Sequence, residues 1–328
     1  MKELLFLLCR YPFDETNRMT LSVLLGTVSD WPRMVKLINA HGIIALAAYN
    51  IKEAGLEKNI PAEAMALLEE GLMQSVVRNT WLTERWKEVN DILTKAGIKH
   101  ILLKGMALEH TLYGSKGLRQ MNDNDILLTR EDSHKAWNLL QKEGFRLEPF
   151  KSFLFKKIIF DFGRHLPALY KDGYMIEIHD NLLYQKEVPG SHFPDPFKDP
   201  VEISINKTKA YILSKELQLK HLIKHFEGHT LAGDCQLRLY ADIKLLDSEI
   251  NIELPEAFIT DPLQSNRTKY RRAAYKTTIN SISPKNRLRF IIGDTFPSLK
   301  WMKNRHKCNG FEALLFYPQR IGKLLWLW

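Results

Sequence analysis

The sequence predicts an α+β protein, a small mixed sheet with helical regions before and after it. Three observations carry this. Apolar residues recur at helical spacing from about residue 17 to 95, and again from about 214 to 290. Between these stretches lie short aliphatic runs bounded by glycines, the mark of strands. Two of the runs, Arg164 to Tyr170 and Tyr174 to His179, flank Lys171-Asp172-Gly173, a hairpin turn of the Asp-Gly kind.

The elements follow in order. Leu4-Leu5-Phe6-Leu7-Leu8-Cys9 is brief, lacks a small-residue cleavage site and runs into Arg10, so it reads as a buried helix rather than a signal peptide. Ala62 to Ile92 keeps helical spacing with no proline after Pro61, and Gly97 suits the left-handed residue that closes a helix. Ile98 to Leu103 is a strand, and Gly105 to Tyr113 a short helix. Gly114 and Gly117 mark a loop. Asp125 to Leu128 is the second strand. Asp132 or Ser133 caps a helix through Lys142 that stops at Gly144. After the hairpin, residues 186–209 are polar and rich in proline and read as a connection. Helices return at Ser214 to Phe226, Gln236 to Leu246, Leu254 to Thr260, Arg267 to Ile282 and Ser283 to Phe290. The expected division is an N-terminal helical region at 1–95, a core at 96–185, and a C-terminal helical region at 186–328 ending in a basic, aromatic tail.

Composition narrows the function classes. With 328 residues, 45% of them hydrophobic, the chain is able to bury sizeable cores. Its longest uncharged apolar runs, such as Gly42 to Ala48, are too short for a transmembrane helix. Cys9, Cys235 and Cys308 are scattered and odd in number, which argues against a disulfide framework and fits a reducing cytoplasm. A net charge of +9 favours anionic partners: nucleotides, nucleic acid or a membrane surface.

The chemistry centres on Asp123-Asn124-Asp125, followed by Ile126-Leu127-Leu128. In a strand, side chains alternate with a period of two, so both aspartates share a face, roughly 6–7 Å apart at about 3.3 Å per residue. Carboxylates that close repel unless a cation lies between them. Hard oxygen ligands so placed suit Mg²⁺, with substrate phosphates completing the shell. In Met175-Ile176-Glu177-Ile178-His179 the same alternation puts Glu177 and His179 on one face. Glu177 then offers a third carboxylate to a site with Asp123 and Asp125, and a nucleotide-handling enzyme becomes the leading reading. The competing reading of the aspartate pair is a solvated turn.

These residues resemble the nucleotidyltransferase superfamily that includes DNA polymerase beta. More closely, the chain looks like the bacterial group described as uncharacterised nucleotidyltransferases. The resemblance rests on Leu103-Lys104-Gly105, Arg119, Asp123-Asn124-Asp125, Glu177-Ile178-His179, His221 to His225, and Arg238-Leu239-Tyr240-Ala241-Asp242-Ile243, in that order over roughly residues 30 to 250. It implies transfer of a nucleoside monophosphate from an NTP to an acceptor, with release of pyrophosphate. It also implies one or two Mg²⁺ ions on Asp123, Asp125 and Glu177, with Glu177 also placed to take the acceptor's proton. Gly105 would let helix amides approach phosphate, and Lys104 and Arg119 would meet its charge. Two positions depart from the superfamily pattern. Met106 stands where a second small residue is usual, and Asn124 stands where an apolar residue separates the acids.

The acceptor class (small molecule, protein or RNA) is open at this level. So is a non-catalytic nucleotide-binding protein on the same fold, and so is a metal-dependent phosphohydrolase. His165 reads either as facing the site or as a structural histidine. His221, His225 and His229, at i, i+4 and i+8, read as a packing stripe or a transition-metal site. Arg238 and Asp242, four apart on a helix, suggest an ion pair. Residues 285–328 interleave basic and aromatic side chains, a pattern for a membrane surface, nucleic acid or self-docking, with Leu324-Leu325-Trp326-Leu327-Trp328 as the docking segment.

Overall fold

A computed structural model describes residues 1–162, 165–182 and 194–325. The fold is α+β, as the sequence predicts. The chain opens with α1 (Lys2–Leu8), α2 (Arg18–Gly26), α3 (Trp31–Ala40), α4 (Ile44–Glu53) and the long α5 (Ala62–Lys95). It continues through β1 (Ile101–Leu103), α6 (Lys104–Thr111), β2 (Asn124–Leu127), α7 (Arg130–Lys142), β3 (Arg146–Leu147) and α8 (Phe153–Phe162). Then come β4 (Leu169–Lys171), β5 (Tyr174–His179), β6 (Val201–Ile205) and β7 (Thr208–Ile212). The described chain closes with α9 (Lys215–Ala232), α10 (Leu237–Leu246), α11 (Glu256–Thr260), α12 (Thr268–Ser281), α13 (Pro284–Thr295), α14 (Leu299–His306) and α15 (Phe316–Leu325). The strands lie in the order β3-β4-β5-β2-β1-β7-β6.

Two compact units divide the chain. The first comprises Met1–Asp91, Ile101–Asp125 and Phe193–Ser265. Its N-terminal run forms the buried helix expected, with Leu4, Leu5, Leu7 and Leu8 inside. The last carbonyls of a helix lack partners within it. Here Asn50 of α4 supplies them, its side-chain amide donating to the carbonyls of Leu8 and Arg10 at 3.0 and 2.8 Å. Helix α9 begins where Ser214 accepts from the Leu217 amide and ends at Gly233, φ +79°.

Part of the segment expected as a connection is a hairpin instead. β6 and β7 pair antiparallel, and β7 runs parallel to β1 with Leu102 opposite Ile212. The turn residues Asn206 and Lys207 take φ values of +48° and +65°, the paired left-handed geometry of a tight hairpin. Neither residue is glycine, and Glu202, Lys207 and Lys209 give the segment its polar look, so the turn signal was weak. Residues 186–193 of that expected connection lie outside the described residues.

The second unit comprises Ile92–His100, Ile126–His192 and Asn266–Trp328. Helix α7 is capped by Thr129, whose hydroxyl accepts from the Asp132 amide, rather than by Asp132 or Ser133. The Asp-Gly hairpin joins β4 to β5, with Asp172 and Gly173 at φ +50° and +81°. The expected start of the first strand, Arg164, lies outside the described residues. Ile158 of α8 packs with Ile282 and Phe290, flanked by Phe155, Tyr275 and Ile279.

The basic, aromatic segment is in part turned inward within this unit. Asp294 pairs with Lys151 and Arg320. The Trp301 ring receives Arg320 at 5.0 Å and Arg305 at 5.5 Å. Of the expected docking segment, residues 326–328 lie outside the described residues. No single described helix is long and apolar enough to cross a membrane.

Candidate active site

The first unit holds Lys104 and the aspartates. β1 ends at Leu103, and the chain turns straight into α6 through Lys104 at φ +45°, a costly backbone conformation for a residue with a side chain. That turn sends the Lys104 ammonium to Asp125 on β2, with Nζ 2.8 Å from Oδ1. Both side chains are nearly sealed from solvent, at 9% and 6% exposure. In such surroundings the attraction is far stronger than at a surface, and each group requires the other. Asp123, half-buried, lies just before the strand. Asn124 between the acids is fully buried, and its amide donates to the Leu82 carbonyl of α5 at 3.1 Å. The departure from an apolar residue at this position is therefore a tether to α5.

Loop 112–123 ends at Asp123, leads into Asp125 on β2, and is stapled from both sides. Glu109 of α6, buried, accepts from the amides of Gly117 and Arg119, the latter at 3.0 Å. Burial pushes its carboxyl above the usual carboxylate range, against the pull of those two amides. From α5, Ser75 donates to the Gly117 carbonyl at 2.6 Å and Asn79 to the Arg119 carbonyl at 2.9 Å. Gly117 sits at φ +73°, and a Cβ there would lie 2.7 Å from Val76 Cα. Only glycine lets the loop approach α5 this closely. Gly105 is also a close-approach residue, since a Cβ there would meet Arg119 Nη1 at 2.8 Å and Met121 Sδ at 2.9 Å. Met106, the other departure, is buried, with the Thr83 hydroxyl 3.7 Å from its sulfur.

Arg119 is held inside the unit. Its Nε and Nη2 donate to Asp242 Oδ2 at 3.0 and 2.8 Å, and the Tyr113 hydroxyl donates to Oδ1 at 3.0 Å. Burial alone would lower the Arg119 pKa; the Asp242 carboxylate more than offsets it and the net shift is upward. Asp242 thus pairs with Arg119, not with Arg238 as their i, i+4 spacing suggests. Arg238 instead donates to the Gln120 carbonyl at 2.7 Å.

The second unit holds Glu177 and His179. On β5, Tyr174, Ile176 and Ile178 are buried on one face, and Glu177 and His179 share the other, as alternation predicts. Glu177 Oε2 lies 3.6 Å from His179 Nε2 and 3.9 Å from His165 Nε2. His165 also bonds the Leu166 carbonyl through Nδ1 at 2.8 Å, so the site-facing and structural readings of this residue coexist. The end of β5 is fixed by the Leu128 amide, which donates to the His179 carbonyl at 2.9 Å.

Within the second unit, Glu177 and His179 offer a carboxylate and an imidazole, donors suited to a metal ion. The α9 histidine stripe is engaged differently. There His229 bridges Asp234 at 2.9 Å and His225 at 3.2 Å, which turns the ring nitrogens toward each other.

Residues 27–254 match the family described as uncharacterised nucleotidyltransferase, well over half of the chain. The chain belongs to that family. No curated protein gives a match. The matched stretch of this nucleotidyltransferase family takes in both aspartates, the Lys104 turn, Glu177, His179 and the Arg119–Asp242 pair. Sequence reasoning missed Glu109 and Asn79 as parts of the construction, and placed His179 beside Glu177 without giving it a ligand's role. Glu109 had a signal, because it lies four residues from Gly105 on the same face of a short, mostly apolar helix. Asn79 had none, since a polar residue in the middle of a long helix ordinarily faces water.

Proposed function

We propose that the protein transfers a nucleoside monophosphate from an NTP to an acceptor hydroxyl. The acceptor oxygen bonds to the α-phosphorus, the α–β phosphoanhydride bond breaks, and pyrophosphate leaves with the electron pair. The observation that carries this reading is the pairing of Lys104 with Asp125, with Glu177 and His179 of the second unit as a further carboxylate and imidazole.

The donor set fits a divalent cation. Carboxylate oxygens suit Mg²⁺, and an imidazole beside them also admits Mn²⁺. Asp125, Glu177 and His179 would hold the ion, with Asp123 as a further ligand. Such a cation would neutralise the triphosphate and acidify the acceptor hydroxyl. Lys104, already poised at Asp125, would donate to the triphosphate oxygens. Glu177, flanked by two imidazoles, is the acceptor's base in this reading. Arg119 acts at one remove by fixing the loop that presents the acids.

The Lys104–Asp125 pair also favours a second reading. An ammonium already neutralising the carboxylate fits a protein that binds NTP without turnover.

The deciding experiment is Mg²⁺-dependent incorporation of label from α-labelled ATP, GTP, CTP and UTP into a cell-lysate acceptor pool. Labelled product that disappears in the Asp123→Asn, Asp125→Asn double variant supports transfer. Tight NTP binding with no labelled product supports the second reading. Full activity in a folded double variant overturns the site.

A further inference from the structure

A cleft of about 860 Å³ opens within the first unit, apart from the Lys104 turn. Its floor is Gln120, Met121 and Asn122, and the next residue is Asp123. Its charged walls are Lys36 of α3, Glu70 and Arg78 of α5, and Arg238 of α10.

The charge is unbalanced. Among the described residues, no carboxylate lies within ion-pair distance of Lys36, Arg78 or Arg238. The one acid, Glu70, is engaged by the Gln74 amide at 2.8 Å. Arg238 donates to the Gln120 carbonyl and, at 3.1 Å, to Gln236 Oε1, while its Nε is buried with no hydrogen-bond partner. Burial, with the like charge of Arg119, pulls its pKa down to about 10, although the carboxylates of Asp242 and Asp123 act in the opposite direction. Arg78 donates to the Asn122 carbonyl at 2.9 Å and lies 4.5 Å over the Trp81 ring. Gly42 makes room for the arrangement. At φ +69°, a Cβ there would press to 3.3 Å against Arg238 Cδ and Nε.

Cationic side chains held by carbonyls and an aromatic face rather than by a bonded carboxylate form a receptor for an anionic group. The volume is that of a small-molecule site. The triphosphate of the proposed reaction has Lys104 and the acidic cluster elsewhere, so a second cationic site calls for a second charged ligand.

We propose that this cleft binds the acceptor, a small molecule carrying a phosphate or carboxylate group, and presents its hydroxyl toward Asp123. The assignment of the ligand as acceptor rests on the nucleotidyl-transfer reading; the anion site itself does not.

The test is calorimetric titration of inorganic phosphate and of succinate into the full-length protein in EDTA, where cation-dependent NTP binding is silent. One of the two anions is expected to bind, and which one binds tells phosphate from carboxylate. Arg238→Gln and the exposed Lys36→Gln are expected to weaken that anion at least tenfold. Lys36→Gln should keep the Mg²⁺-dependent affinity for a non-hydrolysable NTP, and Asp125→Asn should lose that affinity and keep the anion. No binding of either anion, or equal affinity in a folded Lys36→Gln variant, would overturn the anion site. A parallel fall in NTP affinity in Lys36→Gln would overturn the acceptor assignment and make the cleft the donor's.

Discussion

The guanidinium of Arg119 grips the carboxylate of Asp242 across 123 residues of sequence, with Asp242 fully buried and Arg119 nearly so. The pair locks the residue immediately before Gln120–Asn122, and so sets the path of the chain into Asp123. Removing one partner strands a buried charge. Arg119→Ala is expected to lower unfolding stability by about 3–5 kcal/mol in urea titration. Arg119→Lys should recover only part, since an ammonium lacks the two-pronged geometry. Normal stability with lost NTP affinity would instead mark Arg119 as a direct phosphate contact.

Glu109 tests whether the loop is held from α6. Glu109→Leu leaves the amides of Gly117 and Arg119 without acceptors and should cost about 1–3 kcal/mol. Glu109→Gln keeps one carbonyl acceptor and should cost less. Nucleotide affinity measured on the folded variants should fall more than that of a surface control, because the loop leads into the acids.

At Gly117 the backbone conformation and the contact with Val76 both oppose a side chain. Gly117→Ala is expected to destabilise by roughly 1–3 kcal/mol from the left-handed conformation alone. Asn, which tolerates that conformation better but is larger, should do no better than Ala. A rescue by Asn would show that φ alone governs the site, without the Val76 contact.

Lys104 separates binding from folding. Lys104→Ala should reduce kcat/KM for NTP by at least about tenfold, the order expected for a lost charge-assisted contact. It should also destabilise the metal-free protein, because Asp125 loses its partner. Added Mg²⁺ is expected to restore the thermal midpoint, and failure to do so would argue against a cation on Asp125.

Acid pH should loosen the first unit through His41. Its Nε2 lies 2.9 Å from the Ile259 carbonyl, and its Nδ1 accepts from the Leu237 amide at 3.3 Å, so the ring is a neutral tautomer. Burial lowers its pKa below the ordinary value near 6.5, despite the Ile259 carbonyl. The native state then binds fewer protons than the unfolded chain. Stability is complete above about pH 6.5, falls as pH drops toward the folded pKa, and levels off below it. His41→Gln should flatten part of this fall between pH 7.5 and 5.5 in urea titration. An unchanged slope would remove His41 from the account.

The sequence alone determined what short-range rules control. Helical spacing placed α5, α10 and α12 close to their bounds and α9 and α13 at their starts, and Asp172-Gly173 announced its hairpin because the turn chemistry is local. The same period-two rule put Glu177 and His179 on one face of β5. The resemblance picked out Lys104, Arg119 and the aspartates as parts of one site. Tertiary structure decided the rest. Asp242 takes Arg119 because burial leaves the pair no other way to be satisfied, whereas the local spacing pointed to Arg238. The β6–β7 hairpin exists because β7 finds β1 as a parallel partner, a gain no window of sequence contains. Asn79, Ser75 and Glu109 hold the acidic loop through contacts between 8 and 42 residues apart. Periodicity reports which face a residue lies on, and only the folded chain fixes what that face meets.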